Sequence, residues 1–156
     1  NHFAYDALAL HRLARLSGGN PFFTQLLCHG LVKYAGEIKC GYITRKEIDD
    51  VLRDFVQTGN DHLDYIWRQS STAERAVLLA VNDEVNAQRK TEAQWQRVID
   101  RLRQLCPSAC GTADEARDSL KQRELIAGDE WGVRFTMGII PEWLAAHRSW
   151  ASLDKV

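Results

Sequence analysis

At 156 residues the chain is long enough for one domain or two small ones, and for burial of roughly two-thirds of its unfolded surface. A formal net charge of −1, with 26% charged and 45% hydrophobic residues, is ordinary for a globular protein. It offers no global attraction to nucleic acid or an anionic membrane. No apolar run approaches the ~20 residues of a transmembrane helix and no basic–apolar–small pattern marks a signal peptide, so a cytoplasmic chain without membrane contact is expected. Beginning at Asn1 rather than Met, the chain is expected to be processed, excised or preceded by further residues.

Tyr5 to Leu16 reads as a helix with Leu10, Leu13, Ala14 and Leu16 at three- and four-residue spacings. Leu16-Ser17-Gly18-Gly19-Asn20-Pro21-Phe22-Phe23 then spells a helix end, a two-glycine turn and a new helix start. Gly18 or Gly19 suits the left-handed position after a helix because it has no Cβ to clash there. Asn20 is a good N-cap and Pro21 a good first residue. Such a helix start is also a candidate anion site, since first-turn N–H groups point outward. The helix from Pro21 to Ala35 is apolar over a broad sector, so it is expected to be central in its bundle. Gly30 is expected to admit a close neighbour, and Gly36 to end the helix. Thr44-Arg45-Lys46-Glu47 has capping-box spacing and opens an amphipathic helix with Ile48, Val51, Leu52 and Phe55 on one stripe, ending near Thr58-Gly59-Asn60. Asp61 to Gln69 continues as a helix with Leu63, Ile66 and Trp67 inward. Its Asp61-His62-x-Asp64 could hold a metal ion, but acidic residues in a first turn are explained by the helix dipole.

A second layer begins at Ser70. Ser71-Thr72-Ala73-Glu74 is a capping box for a helix to about Val85, followed by an expected loop over Asn86 to Lys90. Thr91-Glu92-Ala93-Gln94 is expected to cap a second helix with Trp95, Val98, Ile99, Leu102 and Leu105 inward. After a Cys106–Gly111 loop, Thr112-Ala113-Asp114-Glu115 is expected to cap a third, with Ala116 and Leu120 inward. The period then changes: Glu124 to Ala127 and Trp131 to Phe135 read as strands joined by Gly128-Asp129-Glu130. Three helices followed by a β-hairpin is the winged-helix order. Met137 to Ser149 returns to helix, with Pro141 tolerable only in the first turn. The expected fold is therefore mainly α: a helical bundle over 1–69 and a winged-helix-like domain over 70–156.

Little in the sequence carries chemistry by itself. The four cysteines, Cys28, Cys40, Cys106 and Cys110, suit a set of reduced thiols. Cys106-x-x-x-Cys110 could give two zinc ligands with His29 or His147, but a second closely spaced ligand pair is missing. No Gly-x-x-x-x-Gly-Lys-Ser/Thr is present, and no Gly-Lys dipeptide. A P-loop needs that lysine on the β/γ-phosphates and the hydroxyl on Mg²⁺. No strand ending in paired acids suggests a Walker B element, and no nucleophile motif is present. The chain is not expected to be an enzyme by itself.

Gly-Gly-Asn-Pro-Phe-Phe-x-Gln-Leu-Leu-Cys, here Gly18 to Cys28, resembles the helical lid that follows the nucleotide-binding core of AAA+-related STAND NTPases. The ending Phe135-x-x-Gly138-Ile139-Ile140-x-x-Trp143-Leu144 is similar to the close of the winged helix in the same family. The resemblance implies that Gly19, Asn20 and Pro21 face a nucleotide, with Gly19 letting backbone approach, Asn20 fixing the helix start and Pro21 near the base or ribose. It implies ATP or ADP with Mg²⁺ held together with an upstream P-loop NTPase domain of the same polypeptide. It also implies a winged helix that relays nucleotide state to other domains or protein partners in signal transduction, with oligomerisation a further outcome. Arg12 and Arg15 are candidates for the lid arginine that senses the γ-phosphate. The alternative is a DNA-binding winged-helix regulator, with Arg117, Lys121 and Arg123 as DNA or partner contacts. In that third helix Asp114, Glu115 and Asp118 cancel the cations, so the phosphate-binding term is weak. The helix before it carries Arg97, Arg101 and Arg103, interrupted by Asp100.

Overall fold

In the computed structural model, residues 4–58 and 61–153 are described. Their contacts fall into two units, 1–60 with 137–139 and 61–136 with 140–156. The helix over residues 61–68 thus groups with the second unit.

The first unit holds β1 (Ala4–Tyr5), α1 (Ala7–Ser17), α2 (Pro21–Glu37), β2 (Tyr42–Ile43) and α3 (Arg45–Gln57). Asp6 caps α1 by accepting from the Ala9 N–H, so the helix starts later than Tyr5. β1 and β2 pair in parallel, Ala4 with Tyr42 and Tyr5 with Ile43. Two-residue strands have no period to read, so sequence gave no sign of them. The three helices close over Leu13, Leu16, Phe23, Leu27, Leu31 and Leu52. A Cβ on Gly30 would lie 2.9 Å from Val51 Cγ1, so Gly30 is where α3 approaches α2, as its place in an apolar helix predicts. Gly36 does not end α2. The helix runs through it to Glu37, and Lys39 takes the left-handed position at φ 52°, with the Cys40 N–H reaching back to Ala35 O at 3.0 Å. The Thr44–Glu47 capping box forms in both directions. α3 ends at Gln57; Gly59 and Asn60 lie outside the described residues. Met137–Ile139 also belongs to this unit: the Gly138 N–H donates to Arg15 O at 2.9 Å. A Cβ there would stand 3.0 Å from that oxygen and 3.4 Å from Leu16 Cα.

The second unit holds α4 (Asp61–Arg68), α5 (Thr72–Gln88), α6 (Trp95–Leu105), a 3₁₀ helix (Pro107–Thr112), α7 (Ala113–Gln122), β3 (Ile126–Gly128), β4 (Val133–Phe135), most of α8 (Ile139–His147) and a short 3₁₀ turn at Trp150–Ser152. α5 is the buried spine, packed by α6 and α7, and the Ser71–Glu74 capping box opens it. β3 and β4 form the antiparallel hairpin, Ile126 opposite Phe135. Helix, helix, helix, hairpin is the winged-helix-like order. Pro141 sits in the first turn of α8.

Five local expectations for this unit do not hold. Leu105, expected inward, is the last residue of α6 and 46% exposed. Asn86–Lys90 is not a loop: α5 continues to Gln88 because nothing in Asn86-Ala87-Gln88 breaks a helix, and Arg89 ends it at φ 51°. Thr91–Gln94 forms no capping box. Gln94 is the cap position without a side-chain bond, since Ala93 instead forms an isolated antiparallel bridge with Val133 on the hairpin and holds this segment extended. Cys106–Gly111 is not a loop but runs into the 3₁₀ helix. Thr112 makes no side-chain cap, because that 3₁₀ helix leads straight into α7 and leaves no extended residue to cap from.

Candidate functional site

The glycine corner joins α1 to α2 through two left-handed residues, Gly18 at φ 58° and Gly19 at φ 75°. The Gly18 N–H closes α1 on Ala14 O at 2.9 Å, and the Asn20 N–H donates to Ser17 O at 3.0 Å. Asn20 Oδ1 accepts from the N–H groups of Phe22 at 3.0 Å and Phe23 at 3.3 Å. Asn20 O takes the Thr24 N–H and Oγ1 at 2.9 and 2.8 Å. Pro21 has no N–H to offer. Every first-turn donor of α2 is therefore committed within the corner, and the expected anion site does not form. What faces outward is apolar: Pro21 is exposed and Phe22 is 46% exposed, while Phe23 is fully buried. The Phe22 and Phe23 rings meet edge to face, 5.3 Å apart. A Cβ at Gly19 would touch nothing within 4 Å. Its glycine is required by backbone angle and opens onto free space rather than onto a neighbour.

The two candidate lid arginines differ. Arg12 Nε donates to Asp49 Oδ1 at 2.8 Å, tying α1 to α3. Arg15 lies in the last turn of α1, exposed, three positions before Gly18, and its guanidinium has no partner among the described residues.

In the second unit the cations proposed for DNA are mostly engaged. Arg117 lies 4.8 Å over the Trp95 ring and pairs with Asp114 and Asp118 at 3.3 and 3.4 Å; Trp95 Nε1 donates to the same Asp114 at 2.9 Å. Arg123 donates to Ser70 Oγ, Ile66 O and both Glu74 oxygens. Burial pushes the Glu74 carboxyl up, but bonds from Ser119 Oγ and the Ser71 N–H, with the Arg123 guanidinium, outweigh it and hold that carboxyl below its ordinary value. Lys121 alone of the three is exposed and without an ion-pair partner among the described residues. An open groove of about 580 Å³ runs along this face, with Ser71, Glu74, Glu115 and Ser119 among its walls.

Sequence reasoning missed the arginines that organise the interior. Arg75, 4% exposed, donates to the carbonyls of Trp67, Leu153 and Arg68 at 2.9, 3.0 and 3.2 Å. With Arg123 on Ile66 O, it closes the C-terminus of α4 with positive charge. Arg148 pairs with Asp64 and stacks over Trp143 at 4.5 Å and Trp67 at 5.4 Å. A polar residue at an inward position of an apolar helix was the available signal for Arg75. Asp64 is thus a salt-bridge partner in α4. All four cysteines are free thiols, and no group of three metal-ligating side chains occurs among the described residues. Nor is any described helix long and apolar enough to cross a membrane.

No family model matches the sequence, and neither does any curated protein. Among solved structures the chain is similar to a chain in a structure of Drosophila ORC bound to DNA, over 98% of its own length, with a TM-score of 0.44 and 14% identity. It spans 40% of the length of that chain.

Proposed function

We propose that this chain is the helical lid and winged helix of a STAND- or AAA+-type ATPase, regulatory and not catalytic by itself. The observation that carries the reading is the corner at Gly18-Gly19-Asn20-Pro21. It spends its backbone N–H donors on its own closure and presents a bare glycine, a proline ring and Phe22 outward. Such a surface suits the flat face of a base or ribose better than a phosphate. In this reading the phosphates and Mg²⁺ belong to a P-loop domain upstream in the same polypeptide, and Arg15, uncommitted and one turn from the corner, is the γ-phosphate sensor. The winged helix then relays nucleotide state, which requires that ATP and ADP bind two arrangements with different affinity.

The DNA-binding alternative draws less support. A recognition helix must spare its cations for phosphates and bases. Here Arg117 and Arg123 hold their own unit together.

The parent polypeptide tests the proposal. It should carry a Gly-x-x-x-x-Gly-Lys-Ser/Thr upstream of Asn1 and bind ADP in titration calorimetry. Pro21→Asp should weaken that binding about tenfold or more, an effect of about 1.4 kcal/mol. Asp is a good first-turn residue, so the helix itself is preserved. A parent without the motif, or affinity unmoved by Pro21→Asp combined with Phe22→Asp, overturns the reading.

A further inference from the structure

The most exposed large apolar side chain described is Trp131, 82% exposed at the tip of the β3–β4 hairpin. Its backbone is held from several sides. Asp129 Oδ1 accepts from the N–H groups of Trp131 at 2.9 Å and Gly132 at 3.3 Å. The Trp95 N–H, at the start of α6, donates to Glu130 O at 3.1 Å, and Ala93 and Val133 exchange two bonds of 2.8 Å. Gly128 makes the turn at φ 105°, where a Cβ would fall 1.8 Å from Gly132 O. A bare indole on a backbone this constrained is preorganised: docking it costs little ordering beyond the side chain itself. Tryptophan is also among the residues that dominate binding energy at protein interfaces.

The charges around the tip select the partner. Asp129 and Glu130 immediately precede Trp131 in the turn, both exposed and neither in an ion pair among the described residues. Arg134, the nearest cation in the hairpin sequence, is taken by Glu92 at 3.3 Å. The tip therefore carries an uncompensated charge of about −2 beside an aromatic face. Phosphate backbones and anionic headgroups are repelled by it. An arginine or lysine fits on both counts, lying over the indole face while its charge meets the two carboxylates.

We propose that the hairpin tip, Asp129-Glu130-Trp131, is a docking knob for a basic segment of a partner protein. The proposal rests on the hairpin alone and not on the nucleotide reading.

The test is fluorescence anisotropy of a labelled synthetic peptide of alternating arginine and leucine, titrated with the chain. The same peptide with glutamate in place of arginine and a 20-base-pair duplex are run alongside. The arginine peptide should bind. Trp131→Ala should weaken it about tenfold or more, and Glu130→Gln about threefold, with an unchanged urea midpoint for both variants. Rising salt should erase the Glu130→Gln difference before it erases the Trp131→Ala one. Equal or tighter binding of the duplex or of the glutamate peptide overturns the proposal. So does arginine-peptide affinity that Trp131→Ala leaves unmoved, or no binding at all.

Discussion

In the first unit each helix start is closed by a side chain of its own, Asp6, Asn20 or Thr44, and apart from Arg12 with Asp49, which joins α1 to α3, the ion pairs lie on outward faces, such as Arg45 with Asp49 and Arg53 with Asp50. In the second, guanidinium groups run inward. Arg75 and Arg123 close the end of α4, Arg101 holds the buried Glu84 at 2.9 Å, and Arg148 lies across two tryptophans. Twenty lysines and arginines against twenty-one acids describe both units equally badly, because a formal charge says nothing about whether it is spent. A cation that satisfies buried carbonyls cannot also neutralise phosphate, so the second unit has far less free positive charge than its sequence suggests.

The strongest way to break this comparison is Arg75→Ala. It removes the guanidinium from three carbonyls: Trp67 O keeps the Ser70 N–H at 3.1 Å, while the Leu153 and Arg68 carbonyls lose this donor. Bonds to a charged group contribute about 1.5–3 kcal/mol each and do not add fully, so a loss of about 3–5 kcal/mol is expected. All five tryptophans lie between residues 67 and 150, within the second unit, so urea unfolding followed by tryptophan fluorescence reports that unit selectively. A loss below about 1 kcal/mol would mean that the buried arginine is not what closes α4.

Glu74→Gln gives a smaller effect with a pH signature. The folded Glu74 carboxyl titrates below its unfolded value. The stability it contributes is therefore fully present above the unfolded value, about pH 4.3, and is lost as pH falls through the lower folded one. Gln keeps the size and the capping geometry but loses the charge that holds Arg123 and Ser119. Destabilisation of about 1–2 kcal/mol is expected at pH 7, shrinking on acidification until the two proteins unfold alike. A difference that stays constant from pH 7 to below pH 3 would show that the carboxylate's charge is not what matters.

The difference between the units also explains what was legible in the sequence. Features that rest on neighbours in the chain were readable: the Thr44 and Ser71 capping boxes, the two-glycine corner with its Asn20 cap, the amphipathic stripe of α3, and the change of period at the hairpin. Features decided by residues far apart were not. Nothing near Ala93 says that it will pair with Val133, and that pairing is what dissolved the expected cap before α6. Arg75 meets Leu153 across 78 positions. The corner's conformation is legible in Gly18-Gly19-Asn20-Pro21, but its chemistry turns on a further step: a good cap at Asn20 uses up the donors an anion would need. The alternation from Trp131 to Phe135 reads as one strand, but β4 begins only at Val133 and Trp131 stays in the turn.

The smallest effect is predicted where the first unit's charges are most conspicuous. Arg45 pairs with Asp49 four residues on, at 3.4 Å, with its side chain 66% exposed. Three terms act on Arg45→Ala. The lost pair is worth about 0.3–0.5 kcal/mol, and less with the cation on the N-terminal side, the poorer orientation. Arg45 is the first residue of α3, so its charge faces the positive end of the helix dipole, and removing it regains a similar amount. Asp49 keeps Arg12 at 2.8 Å and is not left unpaired. The sum is a change within about 0.5 kcal/mol of zero, read by hydrogen exchange of the α3 amides and unchanged by salt. A loss of more than 1 kcal/mol would place this ion pair among the groups that hold the unit together, and the contrast with Arg75 would then be one of degree rather than of kind.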